Sequence, residues 1–178
     1  MKYILGADPG MTGALALIDQ HGNLIHTADI VSIEGRVDGY SLRDSIVAMM
    51  ECYGVNMAVV ENVGSMPKQG VSTTFKFGRA AGCLDGVLQA LDCPMAYVTP
   101  AQWKTKLKMS GKAKDYPRQW CRQHWPTVSD FNAVGKGQAR ADAACLALAW
   151  LEMHPEFREG EAKPAPSKRP LRRVVNVP

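Results

Sequence analysis

Three carboxylates interrupt or end stretches that are otherwise apolar, and any chemistry done by this chain would begin with them. Asp8 follows Tyr3-Ile4-Leu5-Gly6-Ala7, Glu61 follows Met57-Ala58-Val59-Val60, and Asp142 sits within the alanine-rich run Ala139 to Met153. Singly, each has an ordinary explanation. Asp8 suits the turn Asp8-Pro9-Gly10, Glu61 a strand end emerging into water, and Asp142 the first turn of a helix, where an acid favours the N-terminus. Together they point elsewhere. Converging carboxylates repel unless cations neutralise them, and hard oxygen ligands favour Mg²⁺, with Mn²⁺ as its substitute. Two such ions about 3.5 to 4 Å apart stabilise both the attacking and the leaving oxygen at a phosphate. That chemistry is open to a chain with no catalytic Cys or His motif.

The other reactive residues support no competing site. Cys52, Cys83, Cys93, Cys121 and Cys145 are scattered and never form C-x-x-C, so neither a disulfide framework nor a zinc site follows. His21, His26, His124 and His154 are equally dispersed. No basic leader with an apolar stretch opens the chain, and no apolar run approaches the ~20 residues needed to span a bilayer. The expectation is a cytoplasmic protein with no membrane contact.

Elements that would position the three acids are visible in the apolar patterning. Tyr3–Ala7, Gly13–Asp19 and Leu24–Ile30 form three short apolar runs separated by Pro9-Gly10 and His21-Gly22-Asn23, the pattern of an antiparallel meander. Ser41 is placed to cap a helix that continues to Gly54. Asn56–Val60 is a compact buried strand ending on Glu61. A long helix follows over Ser72–Leu91, with Gly78, Gly82 and Gly86 making a smooth face for another helix. Met95–Thr99 is a further strand, Pro100 opens a helix, another helix runs around Pro117–His124, and Ala139–Met153 is the last. This order predicts an α/β fold with a five-stranded mixed sheet, three strands antiparallel and the later ones added in parallel, flanked by helices. With the first strand central and the fourth beside it, Asp8 and Glu61 are neighbours and an alanine-lined helix brings Asp142 over them.

At 178 residues, with 46% apolar and 21% charged side chains, the chain has the bulk of one soluble domain. We assign residues 1–154 to that domain and 155–178, rich in Pro, Lys, Arg and Glu, to a flexible basic tail that adds an electrostatic contact to nucleic acid. The formal charge is only +4. Between Ala101 and Trp125, however, Lys104, Lys106, Lys108, Lys112, Lys114, Arg118 and Arg122 face one acid, Asp115, a net +6 in one segment. Such a concentration is the footprint expected where phosphates are neutralised, though for a charge cluster taken alone a solvated helix face is the simpler explanation.

In order and spacing these residues resemble the RuvC family of Holliday-junction resolvases. Ile4-Leu5-Gly6-Ala7-Asp8-Pro9-Gly10 with Thr12-Gly13 is similar to the family's first-strand signature. Lys76-Phe77-Gly78-Arg79-Ala80-Ala81-Gly82, Pro100 with Lys104, Gly111-Lys112-Ala113-Lys114, and Ala141-Asp142-Ala143 continue the resemblance over about residues 3–152. Each motif is weak alone, and five in order are specific. The resemblance implies a ribonuclease H-like fold and a homodimer, of the phage type among other possibilities, that binds four-way or other branched DNA junctions and nicks them to leave 5′-phosphates. It implies that Asp8 bridges two metal ions, that Glu61 and Asp142 complete their ligation, and that Lys112 or Lys114 offsets charge developing at the phosphate. Lys76, Arg79, Lys104, Lys108, Lys112, Lys114 and Arg140 are the cations it assigns to nucleic acid. Met66, Phe75 or Phe77 would stand near the junction centre, the two Phe reading more simply as core or dimer packing.

One position departs from the pattern. The family places a fourth ligand, Asp or His, three residues before its last catalytic Asp, and here that residue is Ala139, with Gln138 or Asp130 as substitutes. Two other functions therefore stay open. One is a junction-binding protein without cleavage. The other is a nucleotide-binding protein of the actin or sugar-kinase class, suggested by Asp8-Pro9-Gly10-Met11-Thr12-Gly13, although that class needs two such domains.

Overall fold

The computed structural model of the chain describes residues 1–62, 64 and 70–159. Strands β1 (Tyr3–Asp8), β2 (Ala14–Asp19) and β3 (Leu24–Asp29) form the expected meander. A two-residue hairpin follows, β4 (Ser32–Ile33) with β5 (Arg36–Val37), and then helix α1 (Gly39–Tyr53). Strand β6 (Val55–Glu61), helix α2 (Val71–Ala90) and strand β7 (Met95–Val98) come next. Helices α3 (Pro100–Lys106), α4 (Tyr116–His124) and α5 (Gly137–Met153) complete the order.

The main sheet has the order β3-β2-β1-β6-β7, with β1 antiparallel to β2 and parallel to β6, and β6 parallel to β7. β1 is therefore central, as the pattern required. All six residues of β2 and the four inner residues of β1 are buried, so both faces of the sheet are covered. Leu42, Ile46 and Met49 of α1 with Leu84 and Leu88 of α2 pack against Leu5, Leu15, Leu17 and Val60 on one face. On the other, α5 packs against Ile4, Ala16, Ile18 and Val59 beneath a cover of Trp103, Cys121, Trp125 and Phe131. Each large apolar side chain so enclosed contributes about 1.5 to 3 kcal/mol.

Close approach of α5 to β1 explains its composition. A Cβ added to Gly6 would lie 2.0 Å from the carbonyl oxygen of Ala143 and 3.0 Å from the Cβ of Ala147. Only glycine in the strand and alanine in the helix permit that separation. Because α5 is covered on its outer side as well, its residues from Ala143 to Leu151 are buried all round.

Two boundaries differ from expectation. Helix α1 begins before Ser41, because the Asp38 carboxylate accepts from the backbone N–H of Tyr40 and Ser41 and is the true N-cap. Helix α5 begins at Gly137, which places Asp142 beyond the first turn and removes the helix-dipole explanation for it. The β4–β5 hairpin was not foreseen. Its turn residues Glu34 (φ 50°) and Gly35 (φ 72°) are both left-handed, as a two-residue turn matched to strand twist demands.

At the proposed tail boundary, Pro155–Phe157 forms a 3-10 turn. The Lys2 ammonium donates to the carbonyls of Phe157 and Glu159, and the Phe157 ring meets Trp150 at 5.1 Å. Residues from 160 onward, and Met66, lie outside the described residues. No helix among the described residues is long and apolar enough to cross a membrane.

Candidate active site

Strand register brings two of the three acids together. Ala7 of β1 pairs with Val60 of β6 in the parallel ladder, so Asp8 and Glu61 follow in step at the C-terminal ends of adjacent strands. The third arrives from α5, whose Ala143 rests on Gly6 two residues before Asp8. Asp142 thus reaches the same place. A strand end, its neighbour and one helix define the site without any loop contributing an acid.

Electrostatics show that the acids at this site act on one another. The Asp8 carboxyl is pushed up to about 8, first by burial and then by the charges of Glu61 and Asp142. Asp142 is pushed up to about 7 by burial, with the Glu61 charge adding to it and a Gln138 hydrogen bond, Lys104 and Lys114 opposing it. Glu61 is raised by burial, opposed by the Trp103 hydrogen bond and by Lys104. Acids perturbed in this way at one end of a sheet make a candidate functional site.

Two neighbours hold the carboxylates in orientation. The buried Trp103 donates its indole N–H to Glu61 Oε1 at 2.7 Å, from a helix fixed by the Thr99–Gln102 capping box. Gln138, one turn before Asp142 on α5, donates Nε2 to Asp142 Oδ1 at 2.9 Å. Trp103 escaped the sequence reading. Its only signal was a large aromatic beside Lys104 in a helix otherwise polar.

Among the described residues no three His, Cys, Asp or Glu side chains are gathered closely enough to hold a metal ion as they stand. The donor set nevertheless suits a hard divalent cation. All three carboxyls are raised by burial, Asp8 further by Glu61 and Asp142 and Asp142 further by Glu61, and a cation would relieve that repulsion. Gln138 Oε1 is moreover a buried oxygen without a hydrogen-bond partner, on the residue that grips Asp142. Of the two substitutes for the residue missing at Ala139, Asp130 instead accepts from Thr27 Oγ1 at 2.6 Å.

The cations divide into distinct groups. Lys104 and Lys114 stand close enough to the acids to act on them, while the Lys112 ammonium lies over the Tyr116 ring at 5.6 Å. Lys76 and Arg79 are exposed on α2, and Lys108 is in a left-handed turn after α3. Arg140 is engaged differently: its guanidinium makes a bidentate pair with Asp29 at 2.8 and 2.9 Å and donates to the Asp130 carbonyl. Its charge is already answered within the protein. Phe75 is 68% exposed and so is not part of the core, whereas Phe77 is half-buried beside Gly10. Along α2, nothing lies within 4 Å of a Cβ built on Gly78, Gly82 or Gly86.

Sheet order, central β1 and the helix crossing it define a ribonuclease H-like fold of the RuvC type. No family model matches the sequence, and no curated protein matches it significantly. Solved structures do match. The chain is similar to Thermus thermophilus RuvC in complex with a Holliday-junction substrate, with a TM-score of 0.66 and 17% identity over 87% of this chain and 96% of that one. It is similar to the yeast mitochondrial Holliday-junction resolvase Ydc2, with a TM-score of 0.54 and 13% identity over 87% and 81% of the two chains. Fowlpox virus resolvase with its junction DNA matches at a TM-score of 0.50 and 16% identity, over 84% and 99%.

Proposed function

We propose that this protein is a metal-dependent, structure-selective endonuclease that cuts four-way or other branched DNA junctions as a homodimer. The observation that carries the reading is the convergence of Asp8, Glu61 and Asp142 from β1, β6 and α5, each carboxyl raised by burial. The fold it occupies is shared with junction resolvases of bacterial, mitochondrial and viral origin.

In this reading Asp8, Glu61 and Asp142 hold two Mg²⁺ ions, with Mn²⁺ as substitute. Bound there, the metals supply charge neutralisation at the scissile phosphate and a more acidic water, giving hydrolysis to a 5′-phosphate. The protein's own contribution is orientation. Trp103 fixes Glu61 by donating to one of its oxygens, and Gln138 does the same for Asp142. Lys104 and Lys114 add positive potential where charge develops in the transition state. Lys76, Arg79, Lys108 and Lys112 serve the DNA backbone from exposed positions, and the open glycine face of α2 offers a surface for the second protomer. Such an enzyme would work in the reducing cytoplasm, where its five free cysteines stay as thiols.

A second reading, junction binding without cleavage, is favoured by Ala139 standing where the family has a ligand. One experiment separates the two. A labelled four-way junction and a matched linear duplex are incubated with the protein under Mg²⁺, Mn²⁺ or chelator, beside the Asp8→Asn variant. Paired metal-dependent nicks confined to the junction and absent from the variant establish the nuclease. Tight junction binding without nicks under either metal establishes the second reading, and neither binding nor nicking overturns both.

A further inference from the structure

A cavity of about 200 Å³ opens between α2 and the β4–β5 hairpin, apart from the carboxylates. Its walls include Val37, Ala80 and Cys83, and three cations line it: Arg36 of the hairpin with Lys76 and Arg79 of α2. Among the described residues no acid lines it. None of the three cations has an ion pair with a described acid, although Arg43, Arg140 and Arg158 all do. Three unneutralised charges around one concavity repel one another and concentrate positive potential, an arrangement that an anion relieves.

We infer that this cavity holds a phosphodiester group of the bound DNA strand and sets its distance from the acidic centre, an assignment that rests on the nuclease reading above. Its connection to the acids is short. Met11, three residues after Asp8, lines the cavity, and its carbonyl accepts from Ser32 Oγ of the hairpin at 2.6 Å. Hairpin, cavity and catalytic strand are thereby joined. The left-handed pair Glu34-Gly35 makes a tight turn that sets Arg36 rigidly opposite α2. A flexible loop would hold its cation at a greater entropic cost. Arginine, with a planar fork of donors, suits a phosphate better than lysine does.

The test is equilibrium binding of the full chain to a fluorescent four-way junction and to a linear duplex across a salt series. Chelator is present throughout, so that no strand is cut. Arg36→Gln should lower the slope of log affinity against log salt by about one and weaken binding roughly fivefold at physiological salt. Arg36→Lys, which keeps the charge, should retain most of the slope, and it guards against a merely misfolded hairpin. Adding Arg79→Gln to Arg36→Gln should lower the slope further, by about two in all. An unchanged slope in Arg36→Gln, with the wild type binding the junction tightly, overturns the phosphate site and leaves the nuclease reading standing. A reduced slope with no preference for junction over duplex upholds the phosphate site while removing the junction reading. A wild type that binds neither DNA overturns both.

Discussion

The acidic centre and the basic surface around it are built on opposite principles. Asp8, Glu61 and Asp142 are carried by the most buried parts of the fold, a central strand, its parallel neighbour and the enclosed helix α5. Their burial works against their charge and raises every one of the three. Lys76, Arg79 and Lys108 by contrast stand in solvent at little cost in desolvation. Positioning reacting atoms requires rigidity and desolvation. Holding a polyanion requires only charge within a Debye length, about 8 to 10 Å. The centre should therefore fail sharply when one residue changes, and the surface should fail gradually.

The sharpest break is expected from Asp8→Asn or Asp142→Asn. Either should lower the rate of junction cleavage by about three orders of magnitude, several kcal/mol of charge stabilisation, with binding under chelator retained. Single-turnover cleavage beside anisotropy titration checks this, and cleavage near the wild-type rate would remove the metal-site assignment.

Next comes the stability cost of holding the acids together. The Asp8 and Asp142 carboxyls titrate in the fold at about 8 and about 7, against an ordinary 3.8. Between those values they are protonated in the folded chain and ionised in the unfolded one. Without metal, their contribution to stability is therefore full below 3.8 and is lost as pH rises through 7 to 8. Thermal melts under chelator should show a midpoint that falls as pH rises over that range. Mg²⁺ or Mn²⁺ should flatten the fall, and Asp8→Asn should remove part of it. A midpoint rising with pH across the window would contradict the grouping of the three acids.

Orientation of the carboxylates should matter less than their presence. Trp103→Phe removes the donor to Glu61, and Gln138→Leu removes the donor to Asp142. Each should weaken Mn²⁺ binding about 10- to 100-fold by calorimetry, a readout independent of cleavage. Affinities equal to the wild type would reduce both residues to packing.

The surface should give the smallest effects, and two variants show where it ends. Replacing the exposed Lys108 and Lys112 together by Gln should reduce the salt slope of junction binding by about two. Arg140→Gln should leave that slope unchanged and instead destabilise the fold by about 1 kcal/mol, because it breaks the pair with Asp29. A slope change in Arg140→Gln would move it to the nucleic-acid surface.

Much of this organisation was legible in the residues alone, for reasons that can be named. Run length and apolar content placed the strands of the main sheet, most clearly the central β1, β2 and β6, which are covered on both faces and so had to be apolar. The alanines of α5 announced a close approach to the sheet, and the space at Gly6, where an added Cβ would meet the Ala143 carbonyl oxygen at 2.0 Å, bears it out. The three acids stood out because each sits where an apolar pattern continues or ends. Burial by itself was no guide. Asp19, only 4% exposed, is the buried acid among the described residues, yet it serves the β2–β3 turn by accepting from the backbone N–H of His21 and Asn23 and from the Asn23 side chain.

What only the tertiary structure decided are relations between residues distant in the chain. That Trp103 meets Glu61 across 42 residues, and that Arg140 is drawn to Asp29 across 111, follows from how helices lie on the sheet, which no local pattern encodes. The cavity shared by Arg36, Lys76 and Arg79 likewise needs a hairpin too short to show periodicity set against a helix whose exposed cations read as ordinary surface. Local sequence determines which faces must be buried, since hydrophobic burial acts residue by residue. Which side chains then share a site depends on register and crossing angle, set only when all the elements pack at once.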